Sequence, residues 1–410
     1  MKLSIIVCVY NTDIIYLEKC LKSLTQNTIS ALEYEICMVD DGSNIDYSDI
    51  LNKYNVKYCK TENKGIFEAR LLGISMASGD YIAFCDSDDT VSINFYAPML
   101  DKANSYDADI VFNDWAFHTD SVRYICTHDK TVSTDFVYKG SAVLDAFLEV
   151  RGRQHSYFVL WNKIYKKSTL LAVKKECLKY IADGERYNYS EDALINFFAF
   201  SLAQTVTNVH TGYYFYRIHT GQSVNVISYE RLLSHIKFMA KTLDTMRQNV
   251  NQALHPTALE DINEWAALMS RTHYTYAKNL GYTDLYPVIK ASYKVDTLRV
   301  TSFGDGAAYS GAKVLADNFE EIDSELFAIA SLNTSCTVDT VTLNAYSRGV
   351  LEFAVSQGKN IVFANGEGIK LSKPRISLVK RLIHSDFLYK IGTVLFPKGS
   401  KIRAALKKIV

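Results

Sequence analysis

Between residues 4 and 90, four short apolar runs alternate with helix-spaced segments, and this alternation restricts the possible folds more than any other feature. Ser4–Tyr10 (SIIVCVY) is continuous and rich in β-branched residues, as in a strand buried on both faces. Tyr16–Asn27 has apolar residues at 17, 21 and 24, a helical spacing. Tyr34–Val39 predicts a second strand, Ile45–Tyr54 a helix and Val56–Lys60 a third strand. Ile66–Ala77 predicts a helix with Ala69, Gly73 and Ala77 on one face, where small side chains permit close packing. Tyr81–Cys85 predicts a fourth strand. Strand–helix alternation of this kind implies a parallel α/β sheet with right-handed crossovers. Such sheets bind ligands beyond the carboxyl ends of their strands.

Two acidic clusters fall at those ends. Asp40-Asp41-Gly42-Ser43 follows the second strand, and Asp86-Ser87-Asp88-Asp89 follows the fourth. Carboxylates this close repel one another when ionised, and a divalent cation relieves the repulsion. Hard oxygen ligands suit Mg²⁺ or Mn²⁺, with a diphosphate to complete the shell. Taken singly, each cluster also reads as an Asx-rich turn. Arg70 alone reads as a solvated helix charge.

Farther along, Asp109–Asn113 and Tyr213–Arg217 are strand-like, Val143–Glu149 is helical, and Trp161–Tyr165 (WNKIY) precedes the next helix start. Ser190–Leu202 opens with a Ser N-cap and two acids, a helix-start signal. Residues 229–294 are helical in spacing. Glu325–Ile329 and Asn360–Ala364 are strand candidates around a helical stretch near 340–357. The stretch Gly304–Gly311 lacks the spacing of a phosphate-binding loop and reads as a turn.

The order of these motifs resembles family 2 glycosyltransferases of the GT-A fold, of the bacterial surface-polysaccharide type. The matching pieces are SIIVCVYN at 4–11, VDDGS at 39–43, NKG at 63–65 and EARLLGISMASGDYIAFCDSDD at 68–89. Weaker matches are LWNKIYKK at 160–167, SEDALINFF at 190–198 and YYFYRIHTGQSV at 213–224. The resemblance implies that Val9, Tyr10 and Asn11 border the nucleotide, with Asn63 nearby. It implies that Asp40 or Asp41 bonds the uracil or ribose, and that Arg70 sits by the base or diphosphate. Asp86-Ser87-Asp88 would be the DxD motif, with Asp86 and Asp88 at the metal. Asp192 of Glu191-Asp192 would be the general base. The strand proline usual in the family is Cys8 here. Within the weaker matches, Arg217 is a candidate counter-charge for the leaving diphosphate, His219 for an extra metal ligand and Trp161 for an acceptor platform.

The expected fold is thus an α/β, Rossmann-like, mostly parallel domain over 1–225. A largely helical accessory region over 226–369 and a basic amphipathic segment over 370–410 follow. The expected reaction is inverting, metal-dependent transfer of a hexose or N-acetylhexosamine from a nucleotide sugar, UDP-linked by resemblance. The acceptor class implied is a lipopolysaccharide, lipooligosaccharide or capsule glycan, free or lipid-linked. The alternative is a non-catalytic glycan- or nucleotide-binding module.

Lys+Arg and Asp+Glu both number 45, which disfavours a nucleic-acid binder. The zero balance hides a charge of +10 over residues 370–410, where apolar residues recur at helical spacing. That end suits an anionic membrane surface. No run reaches the apolar length of a spanning helix, and no signal-peptide pattern opens the sequence. The expected location is the cytoplasm, peripheral to the inner membrane face. The eight cysteines form no CxxC pair and read as reduced thiols. A homo-oligomer is left open.

Overall fold

The computed structural model describes residues 2–26, 33–118, 122–126, 135–149, 155–181, 185–217 and 228–297, with short strands at 312–316, 335–338 and 360–363. In chain order the first half holds β1 (Leu3–Val9), α1 (Ile14–Thr25), β2 (Tyr34–Asp40), α2 (Ser48–Lys53), β3 (Val56–Lys60), α3 (Ile66–Met76), β4 (Tyr81–Asp86) and β5 (Thr90–Val91). It continues through α4 (Ala97–Tyr106), β6 (Ile110–His118), β7 (Val122–Cys126), β8 (Val137–Lys139), α5 (Ser141–Glu149), α6 (His155–Phe158), β9 (Lys163–Lys166), α7 (Lys167–Cys177), α8 (Glu191–Leu202) and β10 (Thr205–Arg217). Then come α9 (Tyr229–Asn249), α10 (Ala258–Leu280), α11 (Leu285–Tyr293), β11 (Ala312–Ala316), β12 (Ser335–Val338) and β13 (Asn360–Phe363).

The four expected strands form a parallel block in the order β3-β2-β1-β4. β1 therefore lies between β2 and β4, and the two acidic clusters stand one strand apart. β9 then pairs antiparallel with both β4 and β6, making the sheet mixed. The first half of β6 lies between β9 and β10, and its second half between β7 and β10. β5 pairs antiparallel with β10 through Tyr214 and Phe215. That pairing brings the end of β10 to the loop after β4.

Both sheet faces are covered, which explains the unbroken apolar runs. Ile5, Val7 and Val9 of β1 join one buried cluster with α1 and α4. Ile6 joins the opposite cluster with α3, α5, α7 and α8. The small face of α3 does what its composition suggested: a Cβ at Gly73 would overlap Ile6 Cγ2. α8 is buried nearly all round, from Ala193 to Phe200, because it lies between the sheet and further helices.

The boundary expected at 225/226 falls among residues outside those described. The helices after it have no core of their own. Leu232, Ile236, Leu243, Trp265 and Ile289 share one apolar cluster with α3, α5 and α8. Strands β11 and β12 were not expected, and β11 extends the main sheet through β7. The strand expected at Glu325–Ile329, the helical stretch near 340–357 and the basic segment 370–410 lie outside the described residues. Among the described residues, no helix is long and apolar enough to cross a membrane. Cys8, Cys20, Cys37, Cys59, Cys85 and Cys177 are free thiols, as expected.

Candidate active site

Three loops at the carboxyl ends of β1, β2 and β4 lie side by side at one end of the sheet. Register places Val9 opposite Asp40 and Cys8 opposite Asp86. Short polar links tie the loops together. Asn11 N–H donates to Ser43 Oγ at 2.9 Å, and Asn44 N–H donates to Asn11 Oδ1 at 2.8 Å. Thr12 and Ser87 hydroxyls lie 2.6 Å apart. Asn11 takes a left-handed backbone (φ 51°), which Asn tolerates better than most residues. Val9 is buried beneath this rim, whereas Tyr10 stands 53% exposed on it.

The two aspartates after β2 are buried and spend their oxygens on loop geometry. Asp40 accepts from Ser43 N–H at 2.7 Å and from Tyr58 O–H at 2.9 Å. Asp41 accepts from Lys64 N–H at 2.7 Å and Gly65 N–H at 2.8 Å. Asp41 thereby clamps the Asn63-Lys64-Gly65 loop beside its own. Gly65 needs its positive φ of 95°, and a Cβ there would overlap Asn188 Oδ1. Asn63 carbonyl accepts from Arg186 at 2.6 Å.

Arg70 is buried, not a solvated helix charge. Its guanidinium joins the two carboxylate pairs that the sequence singled out. It donates to Glu191 Oε1 at 2.7 Å and to Asp86 Oδ1 at 3.3 Å. Burial opposes its charge, but Glu191, Asp86 and Asp192 outweigh that, and the guanidinium stays ionised. Glu191 is pushed up to about 7 by burial; Arg70 pulls against this and Asp192 adds to it. Asp192 is raised for the same first reason, burial, again with Arg70 opposing. Asp192 is less buried than Glu191, and among the described residues its hydrogen bond is to Ala193 N–H at 2.7 Å. Both acids occupy the first turn of α8, where the helix dipole favours their ionised forms.

Ser190 departs from the expected N-cap. It stands at the cap position, but its side chain does not cap the helix. Its backbone is left-handed (φ 61°), a strain of ~1–3 kcal/mol for a non-glycine residue. The hydroxyl turns instead to Thr242 Oγ1 at 2.8 Å.

The other cluster divides its labour. Asp86 and Asp88 keep partly exposed side chains, 32% and 27%. Asp89 is buried, accepting from Tyr214 O–H at 2.7 Å and Arg217 N–H at 2.6 Å. Burial, then Asp88 and Asp86, hold its carboxyl well above the ordinary range. Tyr214 Oη in turn accepts from Asp86 N–H at 2.9 Å. Arg217 faces Asp88 at 3.7 Å and lies over the Tyr16 ring at 3.4 Å. Asp89 and Tyr214 thus anchor the end of β10 to the acidic loop, a role the sequence did not single out.

Two further expectations fare differently. Trp161 is 3% exposed, stacked on Tyr214 at 4.4 Å and on Tyr216 at 5.6 Å, with Trp115 edge-on at 5.3 Å. It is a core residue and offers no face to an acceptor. His219 lies outside the described residues. Among those described, no three His, Cys, Asp or Glu side chains are grouped to hold a metal. Two partly exposed carboxylates are nonetheless a donor set that Mg²⁺ or Mn²⁺ accepts when substrate phosphates supply the rest. Asp86 and Asp88 are the described residues that could hold such an ion, alongside their contacts to Arg70 and Arg217.

With this geometry in place, comparison with known proteins is informative. The family described as glycosyl transferase family 2 matches residues 4–168. Residues 4–168 form a family 2 glycosyltransferase domain. EpsH of Bacillus subtilis (strain 168), whose name as a glycosyltransferase is provisional, is 28% identical over 309 residues, covering 70% of this chain and 85% of EpsH. The poly(ribitol-phosphate) beta-glucosyltransferase of Bacillus spizizenii is 42% identical over 98 residues, 22% of this chain and 15% of that one. Among solved structures, S. aureus TarS 1–349 in complex with UDP-GlcNAc is 17% identical, with TM-score 0.46, over 78% of this chain and 98% of that one. The mixed, mostly parallel sheet between helical layers is the Rossmann-like arrangement expected of the GT-A class.

Proposed function

We propose that the enzyme transfers a hexose or N-acetylhexosamine, with inversion, from a UDP-linked donor to a hydroxyl of a growing surface glycan. The observation that carries this reading is the Arg70 bridge. One guanidinium holds together Asp86 of the acidic loop and Glu191 of the α8 carboxylate pair. Donor and acceptor chemistry then meet at one place. The glucosyltransferase activity in the name of one relative supports a hexose as the group moved.

In this reading the acceptor oxygen attacks the anomeric carbon as the carbon–oxygen bond to the diphosphate breaks. Asp192 takes the acceptor proton, and a carboxyl raised above its ordinary range is a stronger base for that purpose. Glu191 is engaged with Arg70, which leaves Asp192 as the more accessible of the two. Arg217 stands by Asp88 to meet charge on the leaving diphosphate. A Mn²⁺ or Mg²⁺ held by Asp86 and Asp88 would supply Lewis-acid stabilisation there. Tyr10, exposed at the rim, would cover the base of the nucleotide.

The test is thermal shift and donor hydrolysis with a panel of nucleotide sugars, each with Mn²⁺ and with EDTA. The expected result is one UDP-sugar that stabilises the protein with metal and is slowly hydrolysed, with both effects lost in Asp88→Ala. A protein that no nucleotide sugar stabilises under either condition would overturn the reading.

A further inference from the structure

We propose that Thr242 of α9 is a positioning residue for the α8 carboxylates, acting through the strained backbone of Ser190. The inference rests on the reading of Asp192 as general base. It assigns a catalytic purpose to a helix outside the family-matched residues.

The segment 185–190 enters α8 under restraint from both sides. On one side it meets the donor loop: Arg186 donates to Asn63 carbonyl at 2.6 Å, and Asn188 lies against Gly65. On the other it meets α9. Lys241 pairs with Glu185, the Tyr187 and Phe238 rings lie 4.7 Å apart, and Tyr189 stacks on His235 at 3.8 Å.

Hydroxyls complete the clamp. Tyr187 O–H donates to Phe238 carbonyl at 3.0 Å. Its one proton is then committed, so at the 2.5 Å contact Thr242 must donate to Tyr187 Oη. Thr242 therefore accepts from Ser190 at 2.8 Å. The chain runs one way: Ser190 to Thr242 to Tyr187 to the α9 backbone. Thr242 is fully buried, so no water replaces a lost partner cheaply. The chain begins at Ser190, whose left-handed φ sets the direction in which Glu191 and Asp192 leave the turn. A serine hydroxyl at a helix N-cap ordinarily bonds its own helix. Here it is drawn away, and an external restraint keeps the non-glycine backbone left-handed.

The experiment uses the full chain and measures hydrolysis of the UDP-sugar that the donor panel identifies. Thr242→Val keeps shape and removes the hydroxyl. The expected result is about a tenfold fall in kcat with donor KM within about twofold, and Thr242→Ser restoring the rate. Glycine holds a positive φ without help. In a Ser190→Gly background, Thr242→Val should therefore lower kcat by less than about threefold. An equal fall in both backgrounds, a change confined to KM, or a wild-type rate for Thr242→Val would overturn the proposal. Asp192→Asn, run alongside, separates the two claims. If it is inactive while Thr242→Val is unaffected, the positioning claim fails alone. If it is active, the base assignment fails, and the positioning claim falls with it.

Discussion

Replacing Arg70 by Met tests whether its guanidinium holds the site together. The side chain is buried, and its bond to Glu191 is the shorter of its two carboxylate contacts. Removing one partner of a buried pair costs about 3–5 kcal/mol, because the other charge is left without compensation. Asp86 is partly solvated, so its share of the loss is small. Glu191 already sits at about 7 and can take up a proton, which places the loss near the lower bound, about 3 kcal/mol at pH 8. In a 410-residue chain, an unfolding entropy of roughly 2.1 cal/mol/K per residue converts that to a fall of about 3–4 °C in Tm. Glu191→Gln should recover most of the fall in the Arg70→Met background, since the buried charge is gone. The hydrolysis rate should stay below that of the wild type. Arg70 also opposes the upward shift of Asp192, so its loss should move the acidic limb of the donor-hydrolysis pH profile to higher pH. The assays are thermal denaturation of the four-variant cycle and pH-dependent hydrolysis. An equal Tm loss with Glu or Gln at 191 would refute the reasoning.

Other outcomes follow from the same geometry. His235 and His273 are buried, and burial pulls them down to about 4 and about 3, with Arg231 and His235 respectively adding to the effect. Their stabilising contribution is complete above the unfolded value near 6.5 and is lost as pH falls from there towards those values. Glu191, raised, acts oppositely: its contribution is present below its unfolded value and lost as pH rises through about 7. His235→Phe should therefore flatten the wild-type pH dependence of stability by about 2 kcal/mol between pH 7.5 and 5, measured by denaturant unfolding at each pH. Trp161→Ala should cost about 3–5 kcal/mol of stability, whereas Trp161→Phe keeps the donor KM, as steady-state kinetics would check. Asp41→Asn leaves one acceptor oxygen for the amides of Lys64 and Gly65. It should raise donor KM severalfold with a smaller effect on kcat.

The parallel half of the sheet was readable because β1, β2 and β4 are buried on both faces and carry unbroken apolar runs. Gly73 announced its packing through its missing side chain. The acidic loops were readable because strand ends place them. What the sequence hid depends on partners distant in the chain. Arg70 became meaningful only once α8 lay across it, 121 positions away. Trp161 looked like a sugar platform because composition does not say which face of a ring is covered, and Tyr214 and Tyr216 cover it. Lys163 would pass for a surface charge, yet its ammonium is enclosed by the carbonyls of Ser156 and Val159 and by Asn162 Oδ1. Ser190 looked like an ordinary cap because the pattern before α8 is a normal helix start. Its backbone is left-handed, and its hydroxyl bonds Thr242, 52 positions later, not its own helix.

The central claim is that Asp192 performs chemistry while the loops after β2 and β4 hold the donor. Asp192→Asn tests it most directly, because Asn keeps the acceptor oxygen for Ala193 N–H and removes the base. Donor-induced thermal stabilisation and single-turnover hydrolysis would be measured on the same preparation. The thermal shift should equal that of the wild type, and the rate should be lower by about 10²–10⁴-fold. A hydrolysis rate within about threefold of the wild type, with donor binding intact, would contradict it.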